Sequence, residues 1–213
     1  MLRLHNVSVY FKNKPGLIDI NLSIKKGEFV YLIGPTGAGK TTLLRTIYHD
    51  VKPDDGFVEF GKYHSNKIKP AQVPFMRRQV GIIFQDFKLL EDRTVYDNVY
   101  FALRSTGSSS TEAKKRSIKA LTNVGLLSNR NNSPTELSGG ELQRLCIARA
   151  IANQPGIIIA DEPTGNLDPN TAHGIFELLY KLNQRGSTVL TATHNYKIIH
   201  DFPGRIIYLK EGR

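Results

Sequence analysis

The stretch "EFVYLIGPTGAGKTT", Glu28–Thr42, decides the fold. Its unbroken apolar run reads as a strand buried on both faces. The segment "GPTGAGKT", Gly34–Thr41, then matches G-x-x-x-x-G-K-[ST], and a helix pattern follows from about Gly39 to His49. Glycines let backbone N–H groups turn inward around a β-phosphate, and the start of the helix adds a favourable dipole. Lys40 neutralises β/γ-phosphate charge, and the Thr41 hydroxyl can ligate magnesium.

A second apolar run, "GIIIADEPTG", Gly156–Gly165, supplies the other half of a nucleotide site. It reads as a buried strand whose end delivers Asp161, which can hold magnesium through water. Glu162 follows and points to the other side of the backbone. Adjacent carboxylates with different surroundings suit two roles, metal support and positioning of an attacking water. ATP hydrolysis is the reading.

The remaining sequence frames this site in an α/β domain. Strands are expected near Leu2–Phe11, Leu17–Ile24, Phe57–Phe60 and Val80–Phe84, and again at "STVLTAT", Ser187–Thr193, and "RIIYLK", Arg205–Lys210. From Asp86 to Gln154 the signals are mainly helical, with a polar turn at Ser105–Ser110 and a capping-box pattern at Ser109 and Glu112. One domain over residues 1–213 follows, with a core lobe at about 1–85 and 155–213 and an inserted helical lobe at about 86–154.

Composition narrows the setting. No apolar run approaches the roughly 18 residues that a membrane span needs, and "MLRLHNVSVY" alternates as a strand does, unlike an export signal. A single cysteine, Cys146, excludes an internal disulfide and fits a reducing compartment, and its apolar helix face reads as packing. The net charge of +10 attracts nucleic acid or an anionic leaflet without choosing between them. Its densest run, Lys114–Arg116, reads as a solvated face.

One motif is left over. "TELSGGELQR", Thr135–Arg144, also looks like a phosphate-binding helix start, about a hundred residues after the first. With "GPTGAGKT", Gln85 in "IIFQDF", "LSGGE", "IIIADEP", "GNLD" and His194 in "TATH" standing in this order, the chain resembles an ABC-type ATPase domain over its whole length. The resemblance implies a P-loop NTPase core with an N-terminal β-subdomain and an inserted helical subdomain. It also implies ATP and Mg2+ as cofactors and a head-to-tail homodimer holding two ATP at its interface.

Roles carry over by position. The nucleotide of one subunit lies on its Gly34, Pro35, Thr36, Gly37, Ala38, Gly39, Lys40, Thr41 and Thr42. Ser138, Gly139, Gly140 and Glu141 of the other subunit close over it, so the second motif serves the neighbour's ATP. Thr41, Gln85 and Asp161 address the metal. Glu162, His194, Gln85 and Lys40 carry the chemistry, with His194 on the γ-phosphate. Asn166–Asp168 cross the interface, and Tyr10 or Phe11, with Phe11 preferred, stacks on adenine. His5, His49, His64, His173 and His200 read as structural. Leu142 departs from the glutamine common at this point in the family, which implies altered packing and intact chemistry.

The stretch "FQDFKLLEDRTVYDNV", Phe84–Val99, resembles the cell-division branch more than the lipoprotein-releasing or macrolide-exporting branches. That implies a separate integral membrane partner at the cytoplasmic face of the bacterial inner membrane. Phe87, Leu89 and Leu90 read equally as core or as an apolar groove for a helix of that partner. An export subunit, or a soluble protein acting on ribosomes or nucleic acid, is the alternative; no specific nucleic acid is expected.

Overall fold

The computed structural model describes residues 1–12, 14–84 and 86–213. Its centre is a parallel sheet in the order β6-β7-β8-β3-β9, built from β3 (Phe29–Ile33), β6 (Val80–Ile83), β7 (Ile157–Asp161), β8 (Thr188–Ala192) and β9 (Arg205–Tyr208). An antiparallel sheet, β2-β1-β4-β5, joins β1 (Leu2–Phe11), β2 (Lys14–Ile24), β4 (Asp55–Phe60) and β5 (Tyr63–His64).

The period of two along each parallel strand separates two apolar layers. Val30 and Leu32 of β3, with Ile157 and Ile159 of β7, face α1 (Lys40–Ile47) and the antiparallel sheet. Phe29, Tyr31 and Ile33, with Ile158 and Ala160, face the other layer. That layer includes α3 (Val95–Ser105), α4 (Ser110–Val124), α5 (Gly139–Ile151) and α6 (Pro169–Gln184). Burial on both faces is why these strands are continuously apolar.

Short helices α2 (Val73–Arg77) and α7 (Tyr196–Asp201) complete the chain. At Ser109 the expected capping box is only half made. The serine oxygen accepts from the Glu112 amide, and no return bond from the Glu112 side chain accompanies it. Arg116 also departs from a purely solvated Lys114–Arg116 run, because its guanidinium donates twice to the Ala152 carbonyl, at 2.6 and 3.0 Å. Cys146 is fully buried, and burial pushes its thiol up to about 12.

Parallel strands deliver all their carboxyl ends to one edge. Leu32 pairs with Ala192, and Ala192 pairs with Asp161, so these residues lie in one row across β3, β8 and β7. Whatever follows them in sequence emerges together.

Candidate active site

Three chain segments leave that row. After β3 the backbone enters Gly34 at φ 149°, where a Cβ would lie 2.1 Å from the Leu209 carbonyl oxygen. At Gly39 φ is 101°, and a Cβ would lie 2.6 Å from the carbonyl oxygen of Gly16. Both positions therefore need glycine for conformation and for space. The Lys40 ammonium donates back across the loop to Gly34 O at 2.8 Å and Pro35 O at 3.1 Å, which sets its charge inside the turn.

After β7, Glu162 takes φ 45° while its amide donates to Ala192 O at 3.0 Å. This left-handed step turns its side chain toward the segment after β8. There His194 Nδ1 lies 3.0 Å from Glu162 Oε2, with the carboxylate 17% and the imidazole 73% exposed. The acid is thus sheltered and the histidine presented to solvent. Thr36, Gly37, Gly39, Lys40, Thr41 and Thr42 line one cavity of about 420 Å³ with Asp161, Glu162, Gly165 and His194. A cation, two carboxylates, hydroxyls and an imidazole around one concavity suit a polyphosphate, with oxygen donors at Thr41 and Asp161 for a hard cation.

The second glycine motif lies outside this cavity. Ser138 caps α5 in a reciprocal box: its amide and hydroxyl donate to Glu141 Oε2 at 2.9 and 2.7 Å, and the Glu141 amide donates to Ser138 Oγ at 3.4 Å. These bonds from the Ser138 hydroxyl and amide hold the Glu141 carboxyl below its usual range. Asp168 caps α6 and accepts from the amides of Asn170 and Thr171, and bonding with Thr171, ahead of Asn170, lowers its pKa likewise.

The two capped helix starts touch. A Cβ at Gly140 would lie 2.5 Å from Thr171 Cγ2, and one at Gly139 would lie 3.1 Å from Leu167 Cδ2. So the motif's glycines have a packing reason within one chain. Gly140→Ala gains about 1 kcal/mol of helix propensity, against about 1–3 kcal/mol of overpacking. Net destabilisation is expected in denaturant unfolding, and Thr171→Ser, which lacks the clashing methyl, should relieve most of it.

Residues 17–165 match the family model described as ABC transporter. The chain belongs to the ABC transporter family. A Mycobacterium tuberculosis relative, "Cell division ATP-binding protein FtsE", is 46% identical over 100% of this chain and 94% of its own length. The Escherichia coli K12 protein of the same name is 43% identical over 100% of this chain and 96% of its own length. Among solved structures, the ATP-binding cassette MJ0796, a dimer in a post-hydrolysis state bound to ADP and Pi, superposes with TM-score 0.89. It is 39% identical, covering 100% of this chain and 95% of that one. The fold is that of an ABC cassette, and the chain is an ATPase.

In this ABC ATPase the expected residues do not all come together. Those of the cavity are together. Ser138–Glu141 and Asp168 stand apart from it at the paired starts of α5 and α6. Gln85 lies outside the described residues. Tyr10 and Phe11 are similarly exposed, at 44% and 48%. The Phe11 ring sits where a Cβ on Gly16 would approach its Cε2 to 2.8 Å, and the Gly16 carbonyl abuts Gly39 at the phosphate loop. The Tyr10 amide instead donates to Asp54.

Phe87, Leu89 and Leu90, expected either in the core or along a groove, are each partly buried. Phe87 and Leu89 pack against the helical-side core. The cavity here, about 750 Å³, is lined by Phe84, Asp86 and Lys88 together with Arg45, Tyr48, Asp50 and Arg77. It also reaches Thr41 and Asp161, so it adjoins the nucleotide cavity.

Two supports escaped the sequence reading. Leu209 donates to Ile33 O at 2.8 Å and Gly212 to Ala38 O at 3.0 Å, so the residues after β9 brace the phosphate loop from below. Asn166, expected to cross the interface, lines the larger cavity together with Asp161. Glu211 and Gly212, both at positive φ, mark a tight turn, but nothing local in "KEGR" says what that turn will touch.

Proposed function

We propose that this chain is the ATP-hydrolysing subunit of a bacterial cell-division complex, working as a homodimer around two ATP and driving a separate FtsX-like integral membrane subunit that regulates cell-wall hydrolysis. One observation carries the dimer: the cavity that gathers Lys40, Asp161, Glu162 and His194 includes no part of Ser138–Glu141. A second copy in head-to-tail arrangement would bring that helix start onto the nucleotide. Enclosed away from water, its N–H groups and the Ser138 hydroxyl act far more strongly on phosphate than at a solvated surface. The resemblance to relatives named for cell division supports the cellular role.

Within the site, Gly34–Thr42 wrap the phosphates and Lys40 neutralises them. Mg2+ would be held by Thr41 and Asp161 with Gln85. Among the described residues no three His, Cys, Asp or Glu cluster to hold a metal, and Mg2+ commonly completes its shell with phosphates and water. When bound, the ion supplies charge neutralisation on the phosphates. Glu162 orients and accepts a proton from the attacking water, His194 reaches toward the γ-phosphate from beside it, and Phe11 stacks on adenine. Before Ser138 can donate to a phosphate, its hydroxyl must leave Glu141 Oε2.

No helix among the described residues is long and apolar enough to cross a membrane. In this reading attachment to the cytoplasmic face of the inner membrane runs through the partner, docked at the cavity between Arg45 and Lys88. Arg45→Glu reverses a half-exposed charge at its wall. The variant should keep ATP affinity and lose co-purification of the membrane subunit; retained co-purification at the wild-type level would place the partner elsewhere. The alternative, an energy subunit for lipoprotein release or macrolide-type export, is separated by asking whether the captured membrane protein brings division components with it.

A further inference from the structure

The segment from β6 to α3 is held by a residue that the functional reading leaves unused. Its far end is pinned by buried Asn98, which accepts from the Leu90 amide at 2.8 Å and donates to Leu90 O at 3.0 Å. Between β6 and Leu90, Phe87 and Lys88 both adopt left-handed backbone, at φ 52° and 51°. Two successive side-chain-bearing residues in that region are unfavourable and need outside support.

The support comes from α5. Arg149, on the helix that Ser138 caps, donates from Nη2 to Phe87 O at 2.7 Å and from Nη1 to Lys88 O. The Cys146 thiol adds a contact to Phe87 O at 3.3 Å. Among the described residues Arg149 has no carboxylate partner, so its two-pronged guanidinium serves these adjacent carbonyls. A lysine ammonium cannot present that planar fork. The stretch so held carries Asp86 and Lys88 on the wall of the cavity that also contains Thr41 and Asp161.

We propose that Arg149 is a positioning residue for ATP hydrolysis, clamping Phe87 and Lys88 in left-handed backbone so that the wall around Asp86 keeps its place beside Thr41 and Asp161. Ser138 and Arg149 lie eleven residues apart on one rigid helix, roughly 16 Å. The same element thus braces the cavity that adjoins the chain's own catalytic site and, in the dimer proposed above, reaches the neighbour's nucleotide.

The test is a rescue. Arg149→Met keeps the apolar stem and removes the fork; kcat should fall about tenfold, the factor matching relaxation of one strained residue, while ATP affinity without Mg2+ stays within about twofold. Lys88→Gly, at an exposed position, lets that residue adopt its backbone without support. In the Arg149→Met background it should recover several-fold of the lost kcat without restoring the melting temperature in step. Unchanged kcat in Arg149→Met overturns the proposal. So does a double variant no faster than the single one, because carbonyl satisfaction and packing alone give glycine nothing to rescue. If Arg149→Met does not fold, Arg149→Lys, with charge and stem retained, carries the same comparison.

Discussion

Glu162→Gln is expected to bind ATP, accumulate as a nucleotide-bound dimer and turn over about a hundred- to ten-thousandfold more slowly, the range for losing a positioned general base. The glutamine keeps the size of the side chain and can still bond His194, now 3.0 Å from Glu162 Oε2. Lys40 and the glycine turns are untouched, so binding should persist. What disappears is the group able to take a proton from water in a sheltered position. Steady-state ATPase rates beside size-exclusion chromatography with ATP make the measurement. A wild-type rate would remove Glu162 from the chemistry.

Lys40→Ala attacks the step before. Among the described residues the ammonium bonds only to Gly34 O and Pro35 O within the turn, leaving it placed to meet phosphate oxygens. Charge-assisted bonds of this kind contribute about 1.5–3 kcal/mol each, so losing two corresponds to about a hundredfold or more in ATP affinity. Titration calorimetry with ATP reads it directly. Because Lys40 makes no ion pair with a protein carboxylate among the described residues, melting without nucleotide should change little, which separates lost binding from lost folding.

Much of this site is legible in sequence because it sits where local patterns are strongest. Phe29–Ile33, Ile157–Asp161 and Thr188–Ala192 are buried strands, so they read as short apolar runs. The glycines at 34 and 39 declare a backbone no other residue takes comfortably. The long helix α6, between β7 and β8, is absent from the sequence reading although Asp168 and Pro169 form a good cap and first turn. The catalytic pattern in "DEPTGNLD" draws attention away from that start. The strand β5, two residues long, has no period to show.

Other features need the third dimension. Arg149 meets Phe87 across 62 positions, and nothing near either residue announces the pair. The bracing of Ala38 by Gly212 and the contact of Gly140 with Thr171 are equally non-local. The wall after β6 is likewise set by tertiary contacts: Phe87 and Leu89 pack on the core while Asp86 and Lys88 line the cavity.

Two inactive variants, mixed, test the sandwich most directly. Ser138 is exposed in the single chain, so Ser138→Arg is accommodated there and disables only the ATP that its own helix start faces across the interface. Glu162→Gln disables the pocket of its own chain. In a mixed dimer both lesions fall on one ATP, and the other ATP meets an intact Glu162 and an intact Ser138. Random pairing should restore about a quarter of wild-type turnover, one working pocket in half of the dimers. A mixture as inactive as its two components, with mixed dimers demonstrated by cross-linking, would contradict an ATP shared between subunits.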